Sequence, residues 1–325
     1  MTPGAGLPAI GNFRRERAAV AEPDDFDAFW DETLRAARTG PALLDRRPHP
    51  TPLRLLDTWD VTFAGFGGAP IRAWYTRPAG VREDLPAVVE FVGYGRGRGL
   101  PIERLTWPAA GYAHLLMDAR GQGDQYGNGG DTPDPHRGAP GGSRPTTDGI
   151  LDPRDYYFRR LVTDAVRAVD AVRALPGVDA TRVAAAGNSQ GGGLALAVAG
   201  LVPDLFALLT SAPFLCDIER ALGLTELAPY GEIRQFLAVH RERHEQVRHT
   251  LSYVDGLHFA RRAAAPAHFG VGGLDTVCPA STALAAYDAY AGSDKTLHVY
   301  PYNGHEGGEA LHTRRQLEWL PKLSK

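Results

Sequence analysis

From residue 85 to the C-terminus, short apolar runs alternate with stretches whose apolar residues recur every three or four positions. Residues 86–92 are apolar except for Glu90, residues 183–186 read Val-Ala-Ala-Ala, residues 267–271 form another short apolar run, and residues 296–300 alternate in strand-forming types. Runs this short fit strands buried in a sheet, whereas residues 156–175, 194–201, the stretch opening near Pro279 and Ser281, and residues 306–320 carry helical patterning. Strand and helix in turn predict a mostly parallel central sheet flanked by helices, the α/β class. Ahead of it, residues 24–38 predict an amphipathic helix with Phe26, Phe29, Trp30 and Leu34 as its buried stripe. Asp24, Asp25 and Asp27 open that helix, and Arg35 and Arg38 close it, as the helix dipole favours. Residues 53–63 and 71–77 then predict a hairpin. Residues 124–149, rich in Gly, Pro and Asp, predict a long loop, either disordered or packed on a partner subunit. Residues 216–262 predict a mainly helical insertion. No linker interrupts the alternation, so residues 1–325 are expected to form a single domain, with residues 23–80 as its N-terminal helix and hairpin.

The chemistry is concentrated at Gly187-Asn188-Ser189-Gln190-Gly191-Gly192-Gly193, between a predicted strand and a predicted helix. A serine at the apex of so sharp a turn needs neighbours without side chains, which Gly187 and Gly191 supply; this is a nucleophile elbow. A serine hydroxyl needs a base, and the base needs a carboxylate to orient it. Of the histidines after Ser189, His305 is the one on a loop between a strand and a helix, at the strand's carboxyl end. Asp275, after the Gly272-Gly273 break, is the carboxylate placed in the same way. Asp294 sits at the wrong end of its strand, and Asp288 lies within a helix pattern. The order Ser189, Asp275, His305 is that of the α/β-hydrolase fold. Oxyanion donors are expected at the backbone N–H of Gln190 and of Tyr94, the latter on the loop after the strand at 86–92. The helical insertion would then cover the catalytic edge as a lid or an interface.

Composition narrows the classes. The chain is 43% hydrophobic and 22% charged with a formal charge of −3, an ordinary soluble chain with no basic surplus for nucleic acid. No apolar stretch is long enough to span a bilayer, and residues 1–11 lack the apolar core of a signal peptide. Cys216 and Cys278 do not make a disulfide framework, so a cytoplasmic location is expected. His240 and His244 flank Arg241-Glu242-Arg243 without the zincin spacing, and no metal is expected. Arg96 and Arg98, alternating with glycines after Tyr94, read as a flexible loop at the mouth of the site, where they could favour an acidic substrate; no nucleotide or other cofactor motif is present.

Several motifs together resemble one family, the acetyl xylan esterases and cephalosporin C deacetylases of carbohydrate esterase family 7. The matching pieces are Arg120-Gly121-Gln122-Gly123, Gly187-Asn188-Ser189-Gln190-Gly191 and His305-Glu306, with further similarity at Gly130-Asp131-Thr132-Pro133 and Cys278-Pro279-Ala280-Ser281-Thr282. The resemblance runs from about Pro23 onward and implies the same triad and oxyanion donors. It implies a cofactor-free serine carboxylesterase that removes acetyl groups from small substrates such as acetylated xylo-oligosaccharides or cephalosporin C, through an acetyl-enzyme. It also implies a hexamer, a trimer of dimers, and a tight acyl pocket here formed by Tyr94, Trp107, Phe214 and Pro229. Arg120 is expected to tie loops together near an interface. Asn188 replaces a common glycine and Ala280 a proline. Another small ester, a lactone or a thioester, or a hydrolase-fold scaffold without turnover, are the alternatives.

Overall fold

The computed structural model describes residues 20–136 and 144–324; the reading of residues 1–11 and the centre of the 124–149 loop lie outside them. Three antiparallel strands, β1 (Leu43–Pro48), β2 (Leu56–Ala64) and β3 (Pro70–Pro78), lead into β4 (Leu85–Phe91), β5 (Ala113–Met117), β6 (Val178–Asn188), β7 (Ala207–Ser211), β8 (Ala267–Gly272) and β9 (Lys295–Tyr300), which run parallel. Together they form one sheet in the order β1-β2-β3-β5-β4-β6-β7-β8-β9, with β3 antiparallel to β5. This is the α/β-hydrolase arrangement. The predicted hairpin is β2 and β3, and it joins the central sheet.

Period-two alternation assigns the strand side chains to two faces. Val89 and Ala185 pack with α3 (Tyr157–Arg173) and α4 (Gln190–Leu201), whereas Val88 and Ala184 pack with Trp107 of the one-turn helix α2 (Thr106–Ala109) and with Leu209. Helix α4 is apolar almost all round because it is enclosed almost all round. The first helix, α1 (Phe26–Ala37), buries the expected stripe, but it begins two residues later than its aspartates suggest, so only Asp27 lies in the first turn. Asp25 instead accepts a hydrogen bond from the Tyr253 hydroxyl at 2.6 Å. The last helix, α10 (Glu309–Trp319), begins three residues later than predicted, because Gly307 and Gly308 take φ of 54° and 89°.

Between β7 and β8 the chain forms α5 (Ile218–Leu224), α6 (Tyr230–Val239), α7 (His244–Ser252) and α8 (Gly256–Ala260), the predicted insertion. The described parts of the 124–149 loop are packed on their own chain. Asp134 and Asp148 both bind Arg160, at 2.9 and 2.7 Å, and all three are buried. Helix α9 (Ala280–Ala289) follows β8 and carries Asp288 on its exposed side. No helix among the described residues is long and apolar enough to cross a membrane.

His268 on β8, His298 on β9 and His312 on α10 cluster with Trp319, with ring centroids 4.8 Å (His268–His298) and 4.9 Å (His268–His312) apart. Burial pushes His268 from 6.5 down to about 3, helped by His312, His298 and Arg315, and His312 down to about 4, helped by His298 and Arg315. A depressed histidine costs nothing above 6.5, where it is neutral folded and unfolded; below it only the unfolded chain takes up the proton. Stability is therefore expected to fall as pH drops from 6.5 toward 4. Urea denaturation across that range should show His268→Phe, which cannot be protonated, shifting the acid transition by about half a pH unit or more to lower pH.

Candidate active site

Strand β6 ends at Asn188, and Ser189 takes φ 59° and ψ −123°, a conformation that costs about 1–3 kcal/mol for a residue with a side chain. Three hydrogen bonds hold it there: Ser189 N–H donates to the Ser211 carbonyl, and the Ser189 carbonyl accepts from Gly193 and Phe214, each at 3.0 Å. The flanking glycines are required by contact. A Cβ on Gly187 would stand 2.2 Å from the Gly191 carbonyl carbon, and one on Gly191 would stand 2.0 Å from the Phe91 carbonyl oxygen of β4. Close packing of the elbow against the sheet leaves the Ser189 side chain facing a cavity of about 620 Å³.

The structure brings the predicted triad to one edge of the sheet. His305, on the loop after β9, lines the same cavity as Ser189, and its Nδ1 lies 2.8 Å from Asp275 Oδ2. The other oxygen of Asp275 accepts from the Val277 and Cys278 amides at 2.8 and 2.9 Å, which fixes the carboxylate. Cys278 is buried beside the Ser189 hydroxyl; burial and the nearby Asp275 charge hold its thiol far above the ordinary range, so it stays protonated and is no rival nucleophile.

Both amides expected as oxyanion donors are left without a backbone acceptor. The Gln190 amide opens α4, where helix geometry leaves it without an intrahelical acceptor, and the Tyr94 amide has no acceptor among the described residues. What aligns them is a set of buried side chains. Gln122 Oε1 accepts from Gly95 N–H at 2.7 Å, while its Nε2 donates to Gln190 Oε1 at 2.9 Å and to the Tyr157 hydroxyl at 2.8 Å. Gln122 thus ties the Tyr94 loop to the first residue of the nucleophile helix. The Tyr157 hydroxyl donates in turn to the Arg120 carbonyl at 2.6 Å. The Tyr94 hydroxyl and Thr146 both donate to Glu232 of α6, each at 2.5 Å, so the helical insertion anchors the loop from the other side. Burial and then the Glu232 carboxylate push the Tyr94 phenol well above its usual value, so it remains a donor. Gln122→Ala is expected to lower kcat by about ten- to a hundredfold with little change in KM, because it loosens a transition-state contact; steady-state kinetics on p-nitrophenyl acetate measures the split.

Other expectations are corrected. Arg98 is 3% exposed, bonds Asp60 and Asp131 at 2.7 Å each, and lies 3.8 Å over the Trp74 ring, so it cannot meet substrate. Arg96 is exposed, lines the cavity, and lies over Tyr126. Of the four expected pocket residues, Tyr94 and Pro229 line the cavity. Phe214 does not: it is fully buried between Phe158 and Tyr230 on the α4 face of the sheet. Trp107 lies on the opposite face, at a second cavity. The aromatic residues at the catalytic cavity are Phe91, Tyr94 and Tyr126. Arg120 is fully buried and grips Asp164 through two bonds of 2.5 and 2.6 Å, tying the loop after β5 to α3. His240 and His244 are exposed, and among the described residues no group of three side chains could hold a metal ion.

A family model for acetyl xylan esterase (AXE1) matches residues 7–323. The chain belongs to the acetyl xylan esterase family. The solved acetyl xylan esterase from Paenibacillus sp. R4 superposes with a TM-score of 0.90 at 35% identity, covering 97% of this chain and 99% of that one. Acetyl xylan esterase 1 from Thermoanaerobacterium sp. JW/SL YS485 gives 0.87 at 30% identity, covering 98% and 100%. The acetyl esterase Axe7A of Xylanibacter ruminicola is 32% identical over 180 residues, 55% of this chain; that match spans 39% of the curated relative's length. Within this chain Arg120, Gln122 and Gln190 meet through Gln122 and Tyr157.

Proposed function

We propose that this protein is a serine acetyl esterase that removes acetyl groups from small O-acetylated substrates, acetylated xylo-oligosaccharides and cephalosporin C among them. The observation that carries it is the placement of Ser189 and His305 on one cavity, with His305 fixed by Asp275 and two amides free beside the nucleophile. Ser189 attacks the acetyl carbonyl as His305 takes its proton. The oxyanion forms toward the Tyr94 and Gln190 amides. His305 then protonates the leaving alkoxide and activates the water that hydrolyses the acetyl-enzyme, while Asp275 stabilises each imidazolium. Every step uses groups of the chain, and no cofactor enters it.

Pro229, Val277, Phe91 and Tyr94 give the cavity an apolar side that suits a short acyl group. Across a p-nitrophenyl series from acetate to octanoate, kcat/KM is expected to be highest for acetate and to fall steeply with length. A maximum at longer chains would contradict the acetyl specificity. The hexamer implied by the resemblance and a cytoplasmic location, in keeping with two buried free thiols, belong to the same proposal; light scattering at six times the 35.0 kDa chain mass tests the first.

A further inference from the structure

Beside the catalytic cavity lies a second one of about 380 Å³, within the size range of small-molecule sites. The two share three residues: Arg104, Asn188 and Glu306. Their common wall runs from Asn188, the chain neighbour of Ser189, to Glu306, the chain neighbour of His305. The group that protonates the leaving oxygen must stand on the leaving-group side of the ester, so the second cavity lies where the alcohol departs, not where the acetyl group sits. It exists because α2 is a single turn and leaves the sheet face between itself and α10 open.

The lining is polar and partly unsatisfied. The Ser211 residue is 8% exposed, and its hydroxyl has no hydrogen-bond partner among the described residues. Gln316 is 7% exposed; its amide nitrogen meets His312 at 3.2 Å, and its amide oxygen has no partner among the described residues. Neither atom is fully enclosed, so both open onto the cavity and are free to bond a ligand or water there. The exposed Asn188 amide and Glu309 carboxylate are likewise unbonded by described side chains. Charge adds a direction. Glu90, Glu103, Glu306 and Glu309 face the cavity against Arg104, which Glu90 already holds at 2.5 Å. A hydroxyl-rich neutral group is favoured there and an anionic one is repelled.

We propose that this second cavity binds the sugar unit next to the acetylated one, so that the enzyme reads a di- or oligosaccharide leaving group through Asn188, Ser211, Glu309 and Gln316. The inference rests on the esterase reading above. It ranks neutral sugar acetates over esters whose alcohol carries a carboxylate.

The test compares monoacetylated xylobiose, monoacetylated xylose and p-nitrophenyl acetate as substrates of the full-length protein. Wild type is expected to show kcat/KM about tenfold higher for the disaccharide than for the monosaccharide, carried by KM. Thr313→Trp, which fills the cavity from α10, should bring that ratio to about one and keep p-nitrophenyl acetate hydrolysis. Glu309→Gln, a surface change that leaves the helix intact, should lower the ratio in the same direction. A wild-type ratio of one with p-nitrophenyl acetate activity intact overturns the inference alone, as does a Thr313→Trp protein that folds and keeps the full ratio. Absence of Ser189-dependent p-nitrophenyl acetate hydrolysis in wild type would overturn the esterase reading, and this inference with it.

Discussion

Ser189→Ala is expected to lower kcat/KM for p-nitrophenyl acetate by about 10⁴- to 10⁶-fold, the loss seen when a triad serine is removed and only binding and oxyanion contacts remain. The fold should not suffer. Alanine keeps the Cβ that the turn already accommodates, and the three backbone hydrogen bonds at Ser189 do not involve the hydroxyl. The melting temperature should stay within a few degrees of wild type, separating lost chemistry from lost structure. Cys278 cannot rescue the variant, because its thiol is buried and held protonated. Residual activity above about 1% of wild type would place the nucleophile elsewhere.

The second large effect is on stability. Arg120 and Asp164 are both fully buried, and removing one member of such a pair leaves the other charge uncompensated, at about 3–5 kcal/mol. Arg120→Met is therefore expected to unfold at markedly lower urea concentration. Burial already raises the Asp164 pKa above 3.8 despite the guanidinium, and without it the pKa rises further. A carboxyl whose folded pKa is raised contributes most at low pH and loses that contribution as pH rises through the folded value. The deficit of Arg120→Met should thus be largest at neutral pH and smaller in acid. Pairing it with Asp164→Leu should recover part of the loss, which denaturation of the double variant measures. Because the Arg120 carbonyl orients Tyr157 and so Gln122, the single variant should also lose turnover at temperatures where it stays folded.

How far the sequence foretold these features depends on how local each signal is. The central strands and α3 announce themselves because they are buried on one or both faces, so their composition follows burial. The elbow is equally legible, since backbone contacts at Gly187 and Gly191 leave no choice of residue. Asp275 and His305 follow from their positions after strands β8 and β9. By contrast β1, with Asp45, Arg46, Arg47 and Pro48, looks like a loop: it is an exposed edge, where charge and proline are expected and apolar alternation is not. Gln122, Thr146, Tyr157 and Glu232 were not foreseen as site residues, because their hydrogen bonds join segments 27 to 138 residues apart. Phe214 and Trp107 were misplaced for a related reason. Both are aromatic, but Trp107 sits on α2 and Phe214 follows β7, and they pack on opposite faces of the sheet, away from the cavity. Arg98 was read as mobile because glycines surround it, whereas Gly97 is required by contact with the Gly129–Gly130 backbone and Arg98 is locked between two aspartates.

The central claim is that Ser189, activated by His305, is the group that attacks the ester. Its most direct test is covalent titration with diethyl p-nitrophenyl phosphate followed by peptide mass mapping. One equivalent should abolish hydrolysis of p-nitrophenyl acetate and leave a single phosphoryl adduct on the peptide bearing Ser189, with Ser189→Ala unlabelled. An adduct on another residue, or full activity in the labelled protein, would contradict the account.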